Sequence, residues 1–299
     1  MASEEGINIK NAKNLILPIE TMQKNECMRM FQDCGALETA PAVLPAKTLA
    51  DSCYEGMFTY CTKLTTAPAL PATELVKFCY YEMFAGCKKL TTAPAVLPAV
   101  TLTECCYTSM FNRCTSLTQA PALPATELAQ GCYQNMFSDC TSLTTAPELP
   151  ATKLAQGCYA SMFYGCKVLE TAPELPAEHL AEYCYNSMFL DCEALETAPE
   201  LPAKTLAEEC YAYMFDGCSS LETAPKLPAT ALDYGCYEGM FYSCTSLTVN
   251  EFPSEQTGDD EHLILHFPQD ANPEECASRM FGHVKEFSGD TPVKGNWYY

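Results

Sequence analysis

Sixteen of the chain's twenty cysteines stand in pairs eight residues apart, as Cys53 with Cys61 and Cys132 with Cys140. Each pair frames the same motif, C-Y-x-x-M-F-x-x-C, which recurs eight times. Cysteines at fixed spacing can form disulfides, hold a metal or fill a core. If the framed segment is a helix, the two thiols of a pair lie about 12 Å apart along its axis, beyond the ~7 Å Cα limit of a disulfide. Equivalent cysteines of neighbouring copies would then sit on helices about 8–10 Å apart, again too far. Zinc is poorly served, because no C-x-x-C pair occurs and His179, His262, His266 and His283 are scattered. The pattern therefore reads as free thiols used as small apolar core residues. Cys105, which precedes Cys106 and has no counterpart in other copies, reads as a partly exposed, oxidisable thiol.

Other chemistry is equally sparse. No His keeps a fixed relation to a Ser, Cys or Asp, and no glycine-rich phosphate loop is present. His262 and His266 beside Asp259, Asp260 and Glu261 could make a weak metal site, but a solvated loop is the preferred reading. The tyrosine row (Tyr54, Tyr80, Tyr107, Tyr133, Tyr159, Tyr185, Tyr211, Tyr237) suits either a ligand platform or a core, and its place on the apolar half of the motif favours the core. No enzyme activity, metal or cofactor is expected.

The elements that position these residues follow from the repeat. The Met-Phe pairs from Met57-Phe58 to Met240-Phe241 are spaced by 26 residues, or 27 where Val96 is inserted; Val43 lengthens the step from the degenerate copy at Met30-Phe31 in the same way. Such a period signals a solenoid. In the copy Thr48–Pro71, Thr48 can cap a helix, with Asp51 three residues on. Leu49, Ala50, Cys53, Tyr54, Met57, Phe58 and Cys61 then share one half of a helical wheel, and the other half varies freely between copies. The run L-T-T-A-P-x-L-P-A that follows (Leu64–Ala72) reads as a short strand ended by two prolines. Stacked copies would form a narrow parallel sheet at about 4.8 Å spacing.

The expected fold is thus α/β: a solenoid of about ten 26-residue repeats, with short parallel strands on the concave face and helices on the convex face. Residues 1–34 read as an N-terminal cap and first degenerate repeat, 35–249 as the array, and 250–299 as an irregular C-terminal repeat and cap. In the last of these, Ser254–Glu261 reads as a loop, His262–Pro268 as an echo of the leading strand Asn14–Pro18, and Asn272 with Pro273 as a helix start. Trp297-Tyr298-Tyr299 would close the end of the core.

The run M-F-x-x-C-x-x-L, followed by a short strand and L-P, resembles the BspA-like, or Treponema pallidum-type, leucine-rich repeats, whose equivalent run is A-F-x-x-C-x-x-L. It is also similar to M-F-x-x-C-x-x-L repeats of mycoplasma and lactobacillus surface proteins. The resemblance covers about residues 10–249 and the last unit; the chain departs from it in a longer period and in its Met, Cys, Tyr and Pro content. It implies a right-handed leucine-rich-repeat-type solenoid, and a surface or secreted bacterial protein that mediates adhesion and protein binding.

Charge narrows the partners. The net charge of −21 argues against nucleic acid. Residues 1–150 carry 14 acidic and 10 basic side chains, net −4, and residues 151–299 carry 24 and 7, net −17. No apolar run of about 18 residues is present to span a membrane, and the start lacks a secretory signal pattern, so a cytoplasmic protein is also consistent with the sequence. The binding candidates lie in the strand row: Thr65, Thr91, Thr118, Thr144, Glu170, Glu196 and Glu222, joined by Glu174 and Glu200. They suit a protein or glycan ligand, including a basic segment. A structural spacer or self-assembling rod with no selective ligand is the alternative, and nearly uniform repeats favour it.

Overall fold

A computed structural model describes residues 10–13, 20–250, 273–282 and 286–288. The repeats stack as the coils of a solenoid around one continuous core. The stretch expected as a helix is a ladder of turns, a correction that the backbone explains in full. In the coil at Gly131–Cys140 the amides of Gln134, Met136, Ser138 and Cys140 bond three residues back, to Gly131, Tyr133, Asn135 and Phe137 at 3.0–3.2 Å. The intervening amides of Gly131, Tyr133, Asn135 and Phe137 instead reach the next coil, to the carbonyls of Gln156, Cys158, Ala160 and Met162 at 2.9–3.0 Å. The remaining carbonyls, of Cys132, Gln134, Met136 and Ser138, accept amides of the preceding coil. Every backbone amide of the stretch is used, as a buried backbone requires.

This alternation is incompatible with an α-helix. Every fourth residue is left-handed: Gly131 at φ 59°, Asn135 at 55° and Asp139 at 58°. Such a residue interrupts a right-handed helix and occupies the third position of a type II turn. All eight glycines between residues 51 and 247 fall at these positions. What remains inside follows an in-in-out-out pattern, with Cys132-Tyr133, Met136-Phe137 and Cys140 all buried.

The expected strands are likewise reduced. Among the described repeats they are single parallel bridges, such as Thr66 with Thr92, Gln119 with Thr145 and Thr171 with Thr197. A second series runs Thr101, Glu127, Lys153, His179, Thr205, Ala231. Prolines withhold the amides that longer ladders would need. Regular strands are β1 (Thr248–Asn250) and β2 (Glu286–Ser288), which pair in parallel. A short helix, α1 (Pro273–Cys276), opens the last coil. Its expected cap Asn272, the loop Ser254–Glu261, the segment His262–Pro268 and the closing aromatics lie outside the described residues.

Coils joined by backbone bonds sit at sheet spacing, not helix spacing, so identical side chains stack. Tyrosine rings from Tyr54 to Tyr237 and phenylalanine rings from Phe31 to Phe281 lie nearly parallel, as Tyr133 and Tyr159 do with centroids 5.8 Å apart. This is offset stacking on a backbone-fixed pitch. The tyrosine row is core.

Candidate functional site

Leu64, Leu90, Leu117 and their copies are fully buried, which turns the next two residues outward at the corner of each coil. All seven row residues expected from sequence (Thr65, Thr91, Thr118, Thr144, Glu170, Glu196, Glu222) are exposed and in register. The amide of Thr91 bonds the carbonyl of Thr65 at 3.0 Å, and its hydroxyl reaches the same oxygen at 3.2 Å. Thr144 repeats both contacts with Thr118, and the Glu196 amide bonds Glu170 at 3.1 Å. The row therefore lies on one face, with three of its six steps (Thr65–Thr91, Thr118–Thr144 and Glu170–Glu196) fixed by a backbone bond between row residues.

Sequence reasoning missed its companion. Thr66, Thr92, Gln119, Thr145, Thr171, Thr197 and Thr223, one residue on, are exposed as well, so the ledge is two residues wide. A strand would have turned them inward; a corner made of single bridges does not. Glu174 and Glu200 stand across the proline turn from the glutamate row, in a line that begins at Glu148 and ends at Lys226. Prolines separate the two lines and wall shallow clefts, one of about 350 Å³ bordered by Pro199, Glu200, Pro202, Pro225 and Lys226.

The turn face carries acid groups that the sequence did not single out. Tyr183 donates to Glu208 at 2.8 Å, Tyr213 to Glu238 at 2.6 Å, and the Asn186 amide to Glu209 at 3.2 Å. Burial, then Glu238 and Glu208, raise the Glu209 carboxyl. Burial and the neighbouring Asp191 push Asp216 up to about 6. Acidic residues at equivalent turn positions of successive coils were the available signal.

The cysteines are unpaired in this structure, and eighteen of them are buried. The helix-spacing argument against disulfides does not hold, since stacked coils bring equivalent cysteines closer than packed helices would. What occupies the thiols is backbone: Cys87, Cys114, Cys140 and their copies donate to the phenylalanine carbonyl of the preceding coil at 3.0–3.2 Å. Cys105 is half-buried, as its polar position implied. No group of three His, Cys, Asp or Glu side chains suited to a metal occurs among the described residues. His179 is exposed in the second bridge series, and the other histidines lie outside the described residues. Among those residues no helix is long and apolar enough to cross a membrane.

Stacked coils with a laddered core and a flat exposed ledge define a repeat solenoid, a scaffold rather than a cleft. A family model described as BspA type leucine rich repeat region (6 copies) matches residues 28–170 and 159–262. The chain belongs to that family. Neither the curated proteins nor the solved structures yield a match.

Proposed function

We propose that the protein is a non-enzymatic recognition scaffold of a bacterial surface, binding a protein through the ledge, and that its acidic half takes a basic segment. The observation that carries this is positional. Threonine gives way to glutamate at one exposed row over three successive coils (Glu170, Glu196, Glu222), while Glu148, Glu174 and Glu200 line the facing row. Carboxylates about 5 Å apart repel by roughly 0.8 kcal/mol per pair in water, so a cationic partner gains from relieving them. The threonine coils extend the surface with neutral hydroxyls. Adhesion and a surface or secreted location come from family membership. The division into a cap (1–34), an array (35–249) and an irregular end unit (250–299), and a right-handed course with the ledge on the concave side, complete the proposal.

The test uses a lysine- and arginine-rich peptide as probe. Binding to the parent should weaken as salt rises. The variant Glu170→Thr, Glu196→Thr, Glu222→Thr should bind it at least about tenfold more weakly, a loss of ~1.4 kcal/mol. Equal binding by both would reduce the row to a solubility feature. The second reading, a self-assembling spacer, draws on the uninterrupted stack of identical rings. Light scattering that rises steeply with concentration would favour it.

A further inference from the structure

In the left-handed turn columns, glycines are roofed by side chains of the preceding coil. The Tyr60 ring covers Gly86, Tyr213 covers Gly239, Asp139 covers Gly165 and Asp191 covers Gly217, each so closely that an added Cβ would meet it within 2.7 Å. Gly157 differs. Its predecessor in the column is Gly131, which has no side chain to supply the roof, and nothing stands within 4 Å of where a Cβ would be. Of the ten glycines whose surroundings are described, Gly157 alone is open.

Two glycines in succession thus leave a notch of about 310 Å³ on the turn face, away from the ledge. Gln130, Gln134, Gln156, Ser161, Tyr183 and Asn186 border it, and no charged side chain does. Asn186 is engaged on both sides, donating to Glu209 and accepting from Ser187. Gln156 donates to Glu182 at 3.0 Å. The Gln130 and Gln134 carboxamides and the Ser161 hydroxyl make no side-chain hydrogen bond to the described residues, although Gln134 and Ser161 are half-buried.

We infer that this notch binds one unit of a neutral saccharide, independently of the ledge. A lining without a charged side chain offers no ion-pair partner to an anion or a cation. Carboxamides and hydroxyls each combine donor and acceptor, which matches a ring of sugar hydroxyls. The volume is at the small end of ligand pockets, enough for a pyranose ring and too little for a peptide segment. The Tyr183 side chain offers one wall to the less polar face of such a ring.

The experiment is saturation-transfer NMR on the full chain with maltotriose, cellotriose and mannotriose as probes. At least one should receive saturation from the parent. Gly157→Tyr should weaken that binding about tenfold or more by filling the notch. The same column already holds Phe78 at φ 57° and Tyr183 at φ 58°, so a bulky residue is tolerated there. Gln134→Ala, which leaves the backbone untouched, should weaken binding by about fivefold through one lost hydrogen bond. The triple glutamate-to-threonine variant should bind the sugar as the parent does. Absence of transfer to all three probes overturns the inference. So does a folded Gly157→Tyr or Gln134→Ala protein that binds as the parent does, or transfer only to a Gly-Tyr-Gly tripeptide, which would make the notch an aromatic cleft.

Discussion

The thiol of Cys140 donates to the carbonyl oxygen of Phe111, one coil earlier, at 3.1 Å, and the amide of Cys114 bonds that same oxygen at 3.0 Å. One carbonyl thus closes its own turn and ties the next coil to it. Cysteine suits this place because it fills the volume of a small apolar residue and still supplies a weak donor. Burial raises the thiols of both cysteine columns, Cys61 of this one to about 12 and Cys158 of the other to about 12, so little thiolate exists at neutral pH.

Thiol titration follows directly from that arrangement. In the native protein at pH 8 only the half-buried Cys34 and Cys105 should react quickly. In denaturant without reductant, nearly all twenty cysteines should react. Recovery of only a few would reveal disulfides between coils.

Met136 is fully buried between coils, with its amide held by Tyr133 and its carbonyl by Phe111 of the preceding coil. Met136→Ala should destabilise the array by about 2–5 kcal/mol, and nearest-neighbour coupling should carry the loss into adjoining coils. A melting curve like the parent's would show that the site collapses around the smaller side chain.

Much of this was legible in advance because stacking repeats the same demand at the same place. The period marked the solenoid, and the invariance of Cys132, Tyr133, Met136 and Phe137 in type marked the core. The threonine and glutamate row stood out as a binding candidate, but the sequence left open which strand row faces outward. The turn ladder was not legible from that pattern. Buried positions recurring every four residues imitate a helical wheel over eight residues, where 90° and 100° per residue drift apart by only about 80°. The distinguishing signal lay in the variable half: Gly131, Gly157, Gly235, Asn135 and Asp139 occupy columns that require positive φ. Free variation among bulky residues such as Phe78 and Tyr183 in those columns masked it. The notch could not be read either, since it depends on which side chain leans over which glycine.

The hydroxyls of Tyr133, Tyr159 and Tyr211 are buried with no protein hydrogen-bond partner. A buried unpaired hydroxyl is unfavourable by about 1–3 kcal/mol. Tyr159→Phe keeps the ring stack on Tyr133 and Tyr185 and removes only that group. The variant should be more stable than the parent by about 1 kcal/mol in urea unfolding. A loss of stability would mean that the hydroxyl is satisfied in solution.

Asp216 sets the direction of one pH effect. Its carboxyl is raised from 3.8 to about 6, by burial first and by the charge of Asp191 second. A carboxyl raised on folding holds its proton more tightly in the folded state than in the unfolded chain. Below about pH 4 it is protonated in both states and has no effect. As pH rises through 4 to 6 the unfolded chain loses the proton first, so stability falls, and above about 6 the penalty is constant. The full shift would correspond to about 3 kcal/mol, and partial exposure reduces this to about 1 kcal/mol. Other acidic groups obscure the effect in the parent alone, so the measurement is a difference. Asp216→Asn should match the parent near pH 4 and exceed it by about 1 kcal/mol at pH 7.5. Asp191→Asn should recover a smaller part over the same interval, because it relieves only the charge and not the burial. A difference between Asp216→Asn and the parent that is unchanged from pH 4 to 7.5 would place the Asp216 carboxylate in open solvent.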